Sequence, residues 1–192
     1  MSTLALNKPE PRRFPITVEV YHFMAERGAF APDERVELLD GEIREMSPIG
    51  SAHAYCVNLL TEFLNLALSG RYIVSVQNPI VLDDTSEPQP DIAVLAPREV
   101  SYRESLPTAV DVKLIVEVAD SSVTFDRYRK FPKYASAGIP EAWLIDIESG
   151  HVEVHTQPKP DTYGTVKIYR RGELVTSETM QELSVAVDEL LG

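Results

Sequence analysis

Leu114-Ile115-Val116-Glu117-Val118 is the stretch on which the fold turns. Aliphatic side chains occupy both alternating sets of positions, so a strand formed here presents apolar surface on two faces and has to be covered on both. Such a strand lies inside a sheet with helices packed above and below it. Glu117 is the exception within the run. Burying a lone carboxylate is costly unless a cation or a hydrogen-bond donor compensates it.

Working outward, Ile92 to Leu95 and Tyr72 to Val76 read as further strands, with Ile80 to Leu82 expected as a short strand between them. From Ala52 to Leu68, Val57, Leu60, Leu64 and Leu68 recur at three- and four-residue intervals, which predicts an amphipathic helix. Asp40-Gly41, between Val36 to Leu39 and Glu42 to Met46, supplies the positive φ angles of a two-residue hairpin turn. Thr17 is placed to cap a short helix through Val18, Tyr21 and Ala25 that stops at Gly28. Downstream, Asp126 to Ala137 predicts a helix ending at Gly138 and kinked by Pro132. Ala142 to Ile147, His151 to Thr156 and Thr165 to Tyr169 follow as strands. This order predicts an α/β fold in which helices flank a mixed sheet, with an added N-terminal helix and hairpin and added C-terminal strands. Residues 1–15, with Pro9, Pro11 and Pro15, are expected as an irregular arm, and residues 16–192 as a single domain.

The length of 192 residues matches one domain, and the 44% apolar and 25% charged composition excludes a disordered or fibrous chain. Thirty Asp and Glu against eighteen Lys and Arg give a formal charge of -12, which opposes a nonspecific grip on nucleic acid unless positive charge is concentrated locally. Such a concentration occurs at 126–133, where Arg127, Arg129, Lys130 and Lys133 stand against Asp126 alone. Cys56 is the single cysteine, so no intrachain disulfide forms and a reducing, cytoplasmic setting is expected. Neither a signal peptide nor a membrane span is expected, because Arg12 and Arg13 lead into Phe14-Pro15 and a polar amphipathic stretch in place of an apolar h-region, and Glu62 interrupts the longest apolar helix candidate.

Three residues stand out chemically. Asp91 opens a strand behind Gln89-Pro90, Glu117 sits in its apolar run, and Lys130 lies in the basic segment. Two carboxylates at neighbouring strand ends with an ammonium above them suit a hard divalent cation and a phosphate. Magnesium uses one or two carboxylates and completes its shell with waters and phosphate oxygens. Each residue also has a structural reading: Asp91 as a turn residue, Glu117 as the partner of Lys130 or Lys133, and Lys130 as a solvated helix lysine. Asp83, Asp84, Glu87 and Asp91 lack the glycine and glutamate spacing of a calcium-binding EF-hand loop. The aromatic residues Tyr128, Phe131, Tyr134 and Trp143 read as core between helix and sheet.

Val36-Glu37-Leu38-Leu39-Asp40-Gly41-Glu42, Ser86 to Asp91, Leu114 to Val118, Lys130 to Tyr134 and Ala137 to Asp146 together resemble the Uma-two endonuclease family of the restriction-endonuclease-like PD-(D/E)XK superfamily. The resemblance implies metal-dependent cleavage of phosphodiester bonds with Mg2+ or Mn2+ as cofactor and nucleic acid, DNA in the first place, as partner. Asp91 matches the motif aspartate and Glu117 the next motif acid, which makes both metal ligands and catalytic candidates. The superfamily places a lysine two positions after that acid, where this chain has Ala119; the matching lysine in the resembling family lies on the following helix, at Lys130. Glu37 is a candidate further ligand, His53 a contact to phosphate or to metal-bound water, and Gln77 a substrate or supporting group. Arg127, Arg129 and Lys133 are the expected substrate-binding residues. Two other readings are a nucleic-acid-binding or regulatory protein that keeps the fold but cleaves poorly, and an interaction domain whose added strands build a homodimer.

Overall fold

The computed structural model describes residues 14–100 and 102–192, so the expected arm at 1–15 lies outside the described residues except for Phe14 and Pro15. A six-stranded mixed sheet forms the centre. In chain order its strands are β3 (Ile73–Val76), β4 (Ile92–Leu95), β5 (Val112–Ala119), β6 (Glu141–Asp146), β7 (His151–Lys159) and β8 (Thr162–Arg170), and they lie side by side in that order. All neighbours are antiparallel except β5 and β6, which run parallel. That parallel pair requires a crossover, and the connection carries the helical segment α3 (Val123–Phe125), a π turn (Asp126–Lys130) and α4 (Phe131–Ser136).

The two-sided strand behaves as its composition demands. Leu114, Val116 and Val118 face one core, under α2 (Ser51–Ala67), which contributes the buried Cys56, Val57, Leu60 and Leu64. Each fully buried leucine there contributes about 1.5–3 kcal/mol through removal of its surface from water. Ile115 and Ala119 face a second core with Phe131, Tyr134 and Ala135 of α4. Glu117 shares the parity of Ile115 and Ala119, so alternation along the strand aims its carboxylate at the crossover helix. A separate pair, β9 (Leu174–Thr176) and β10 (Ser184–Ala186), and the short α5 (Val187–Leu191) close the first core from the C-terminal side. Glu141 anchors this closure. Its fully buried carboxylate accepts hydrogen bonds from the Trp143 indole, the Ser177 hydroxyl and the Thr179 amide and hydroxyl, at 2.6 to 2.9 Å.

At the N-terminal side, α1 (Val18–Glu26) is capped by the Thr17 hydroxyl and precedes the hairpin of β1 (Val36–Leu39) and β2 (Glu42–Glu45). Two expectations need correction. Ile80 to Leu82 forms no strand: Ile80 N–H bonds Pro88 C=O, Leu82 N–H bonds Ser86 C=O, and Val81 makes only an isolated bridge to Thr108. The flanking Pro79 and Pro88 remove donors that a ladder would need. The helix over 126–137 exists but is not regular, because its first part widens into the π turn and Pro132 falls in the opening turn of α4. The wider turn gives room to the proline ring, which in an α-helix would strike the carbonyl four residues back.

Asp40 and Gly41 form the hairpin turn with φ of 53° and 72°. Gly41 is constrained twice, since a Cβ there would sit 2.5 Å from Pro15 Cβ and 2.8 Å from Pro15 Cα. Gly41→Ala is expected to lower unfolding stability by about 2 kcal/mol or more, from left-handed strain plus displacement of the Pro15 backbone. Chemical denaturation of the purified variant checks this, and an unchanged midpoint would refute it.

Candidate active site

The ladder between β4 and β5 sets the geometry. Ile92 pairs with Val116, so the next residue outward on each strand, Asp91 and Glu117, become neighbours at one end of the sheet. Asp91 Oδ2 accepts the Val118 N–H at 2.9 Å, and Oδ1 accepts from His53 Nε2 at 3.0 Å and from Gln77 Nε2 at 3.3 Å. His53 arrives from the first turn of α2. Gln77 holds a left-handed backbone, φ 51°, and donates its own N–H to the Asp91 carbonyl. Burial raises the Asp91 pKa, but the His53, Val118 and Gln77 donors outweigh it and leave the carboxyl below its usual range.

Glu117 has a different balance. Its Oε1 accepts from the Tyr134 hydroxyl at 2.5 Å and from Lys130 Nζ at 3.2 Å. Complete burial is the largest influence and pushes its pKa well above the normal carboxylate value in spite of the Lys130 charge. Lys130 Nζ also lies 3.1 Å from Glu37 Oε2, delivered by β1, and Glu37 in turn accepts the Gln89 N–H. Burial opposes the ammonium, yet Glu117, Glu37 and Asp126 together raise its pKa, so Lys130 stays charged. Asp126, buried and bonded to the Ser122 hydroxyl, is raised mainly by burial.

These groups border a cleft of about 540 Å³ between the β1–β2 hairpin, the start of α2 and the crossover. Six Asp and Glu side chains line it against Arg35, Arg44 and Lys130, with His53 beside them. The excess of oxygen donors fits a hard cation held by Asp91 and Glu117, with waters completing the shell. Among the described residues no three His, Cys, Asp or Glu side chains form a ready-made cage, so the fit is of this two-carboxylate kind.

Asp91, Glu117, Lys130, Glu37, His53 and Gln77 are thus brought together. Arg127, Arg129 and Lys133 are not. Arg127 grips Glu153 of β7 at 2.5 Å, Lys133 bridges Asp40 and Asp83 at 2.7 and 2.8 Å, and Arg129 lies 3.8 Å from Asp40. The local positive charge of this segment is therefore matched by acids, and none of the three borders the cleft. Residues that sequence reading passed over are Asp126, Tyr134, Arg35 and Arg44. Asp126 and Tyr134 carried a signal, because they flank Lys130 at four-residue spacing and so share its helix face. The arginines carried none until the hairpin register was known.

The Glu153 cluster gives a separate test of the charge distribution. Burial would raise Glu153, but His155, Arg127 and His151 hold it far below the usual carboxylate range. A depressed folded pKa gives stability that is present above the unfolded value of about 4.5 and is lost as pH falls through the folded one. The melting-temperature difference between the wild type and Glu153→Gln is expected to shrink as pH falls below 4.5; a difference independent of pH from 5 down to 3 would contradict the pairing.

A family model described as "Uma2: Putative restriction endonuclease" matches residues 18–188. A solved structure described as "a putative nuclease belonging to DUF820 from Anabaena variabilis" superposes with a TM-score of 0.71 at 16% identity, covering 92% of this chain and 98% of that one. At that identity the likeness speaks for the fold. A search of curated proteins found no match. No helix among the described residues is long and apolar enough to cross a membrane.

Proposed function

Because the chain belongs to the Uma2 family, matched over residues 18–188, we propose that it is a divalent-metal-dependent endonuclease that hydrolyses phosphodiester bonds in DNA. The observation that carries this reading is the meeting of Asp91 and Glu117 from adjacent strands, with Lys130 Nζ 3.2 Å from Glu117, in a single cleft. Asp91 and Glu117 would hold Mg2+ or Mn2+. Bound there, the metal supplies positive charge that eases deprotonation of an attacking water and stabilises the phosphoryl oxygens.

The chain's own residues have distinct tasks. Asp91 is kept ionised and fixed in orientation by its three donors, so it is ready to ligate without rearrangement. Glu117 is incompletely compensated and gains most from a second cation. Lys130, held as an ammonium, cannot accept a proton; it acts by charge, offsetting the negative charge that develops on the phosphoryl group. Glu37 positions Lys130 from the hairpin side, and Tyr134 positions the Glu117 carboxylate from α4. This arrangement accounts for Ala119, because the crossover helix brings its ammonium to Glu117 from above while the strand position is left apolar.

Asp91→Asn and Glu117→Gln are each expected to reduce Mg2+-dependent nicking of supercoiled plasmid DNA by a factor on the order of 10²–10⁴ while leaving the circular dichroism spectrum unchanged. Equal nicking by either folded variant would overturn the assignment. Binding of DNA that persists in chelator without any nicking by the wild type would favour a binding protein on the same fold.

A further inference from the structure

Two buried side-chain nitrogens have no hydrogen-bond partner among the described residues, Arg44 Nε and His53 Nδ1, and both belong to residues bordering the cleft. Folded proteins leave few such groups unpaired, because a buried donor without an acceptor loses the hydration it had in water. Arg44 is otherwise well held. Its Nη2 donates to Glu42 at 2.7 Å and its guanidinium centre lies 5.0 Å from the centroid of the Phe125 ring, which also borders the cleft.

The hairpin register explains the direction in which Arg44 faces. Arg44 pairs directly with Glu37, and side chains of directly paired residues project from the same face. Glu37 uses that face to reach Lys130, 3.1 Å away, so Arg44 is presented to the same cleft. Arg35 has the parity of Glu37, lines the cleft too, and forms no ion pair among the described residues. One wall of an otherwise acidic cleft therefore carries two guanidiniums, and the part-exposed Arg44 side chain keeps its Nε–H unpaired and shielded beneath its exposed face. A guanidinium offers a planar set of donors that matches phosphate oxygens, and it remains charged at any physiological pH.

We infer that Arg44, assisted by Arg35, binds a nonbridging phosphate oxygen of the nucleic-acid strand on the hairpin wall that faces Asp91 and Glu117. The inference rests on the nuclease reading for the identity of the ligand, while the phosphate contact itself stands on the geometry. It locates the phosphate contact on the β1–β2 hairpin side, whose Arg35 and Arg44 border the cleft, and not on the 126–133 segment, whose Arg127, Arg129 and Lys133 do not border it.

Two measurements test it. In the wild type, titration with inorganic phosphate is expected to shift the Arg44 Nε–H cross-peak in a proton–nitrogen spectrum, assigned by its loss in Arg44→Met. In cleavage kinetics on a 20-base-pair duplex, Arg44→Met is expected to raise KM about 10-fold, with a smaller effect on kcat. It should also reduce the slope of log(kcat/KM) against log salt by about 0.9, the loss of one phosphate contact, and Arg44→Lys should restore that slope. A cross-peak that phosphate does not move, or a slope unchanged in Arg44→Met, overturns the inference. If cleavage requires Asp91 and Glu117 but the Arg44 slope does not change, this inference fails alone. If phosphate moves the cross-peak but the wild type cleaves no nucleic acid, the nuclease reading fails and the phosphate contact survives.

Discussion

A carboxylate placed in a strand that must be buried on both faces cannot be left to itself, and the compensation of Glu117 organises the surrounding elements. Alternation along β5 points Glu117 toward the crossover, so the crossover has to return a cation and a hydroxyl over that point, which Lys130 and Tyr134 provide. Lys130, buried in its turn, calls for a second anion. The hairpin supplies Glu37, and the hairpin's own seat depends on the turn at Asp40-Gly41 closing against Pro15. Each step follows from the high cost of an unpaired charge away from water. The outcome is a cleft whose walls come from three separate parts of the chain and whose polar groups are fixed before any ligand arrives.

The acidity of the chain takes on a different meaning once its distribution is known. A formal charge of -12 spread evenly would repel a polyanion at long range. Here six of the thirty acids line the cleft, and Asp40, Asp83 and Glu153 pair with the cations of the basic run at 126–133. A divalent cation bound among the cleft acids would offset part of their charge and bring the cleft closer to the charge that a phosphate tolerates. Ionic strength screens the exposed remainder over about 10 Å at 0.1 M salt, while the buried groups keep their influence.

Much of the fold is legible in the residues because strand and helix periodicities differ. The two-sided apolar pattern of Leu114 to Val118, the three-and-four spacing of Val57, Leu60, Leu64 and Leu68, and the Asp40-Gly41 turn each rest on a local rule that tertiary structure did not override. Ile80 to Leu82 misleads because three aliphatic residues satisfy strand propensity, while flanking prolines, whose effect lies in missing donors, decide the backbone. The π turn is invisible to periodicity for a related reason: its cause is the ring of Pro132 acting on the preceding turn. At the site, Asp91, Glu117 and Lys130 could be singled out because a charge in an apolar run is costly wherever it lies. Arg44 could not, because its orientation toward the cleft follows from pairing with Glu37 across a hairpin. Charge counting along the chain likewise could not reveal that Arg127 and Lys133 are consumed by acids distant in sequence.

The two buried glutamates beneath the crossover show how a structural carboxylate differs from one available for chemistry. One helical segment carries Arg127 to Glu153 and Lys130 to Glu117, so the same backbone serves both. Glu153 receives a guanidinium and two imidazoles and is held far below the usual carboxylate range; every oxygen is satisfied and nothing is left for a ligand to add. Glu117 shares its single ammonium with Glu37 and is pushed the other way, because burial outweighs the charge that it is offered. A bound cation would relieve Glu117 and would only compete with Arg127 at Glu153. Incomplete compensation beside an open cleft, more than burial or the presence of a carboxylate, is what separates Glu117 from Glu153.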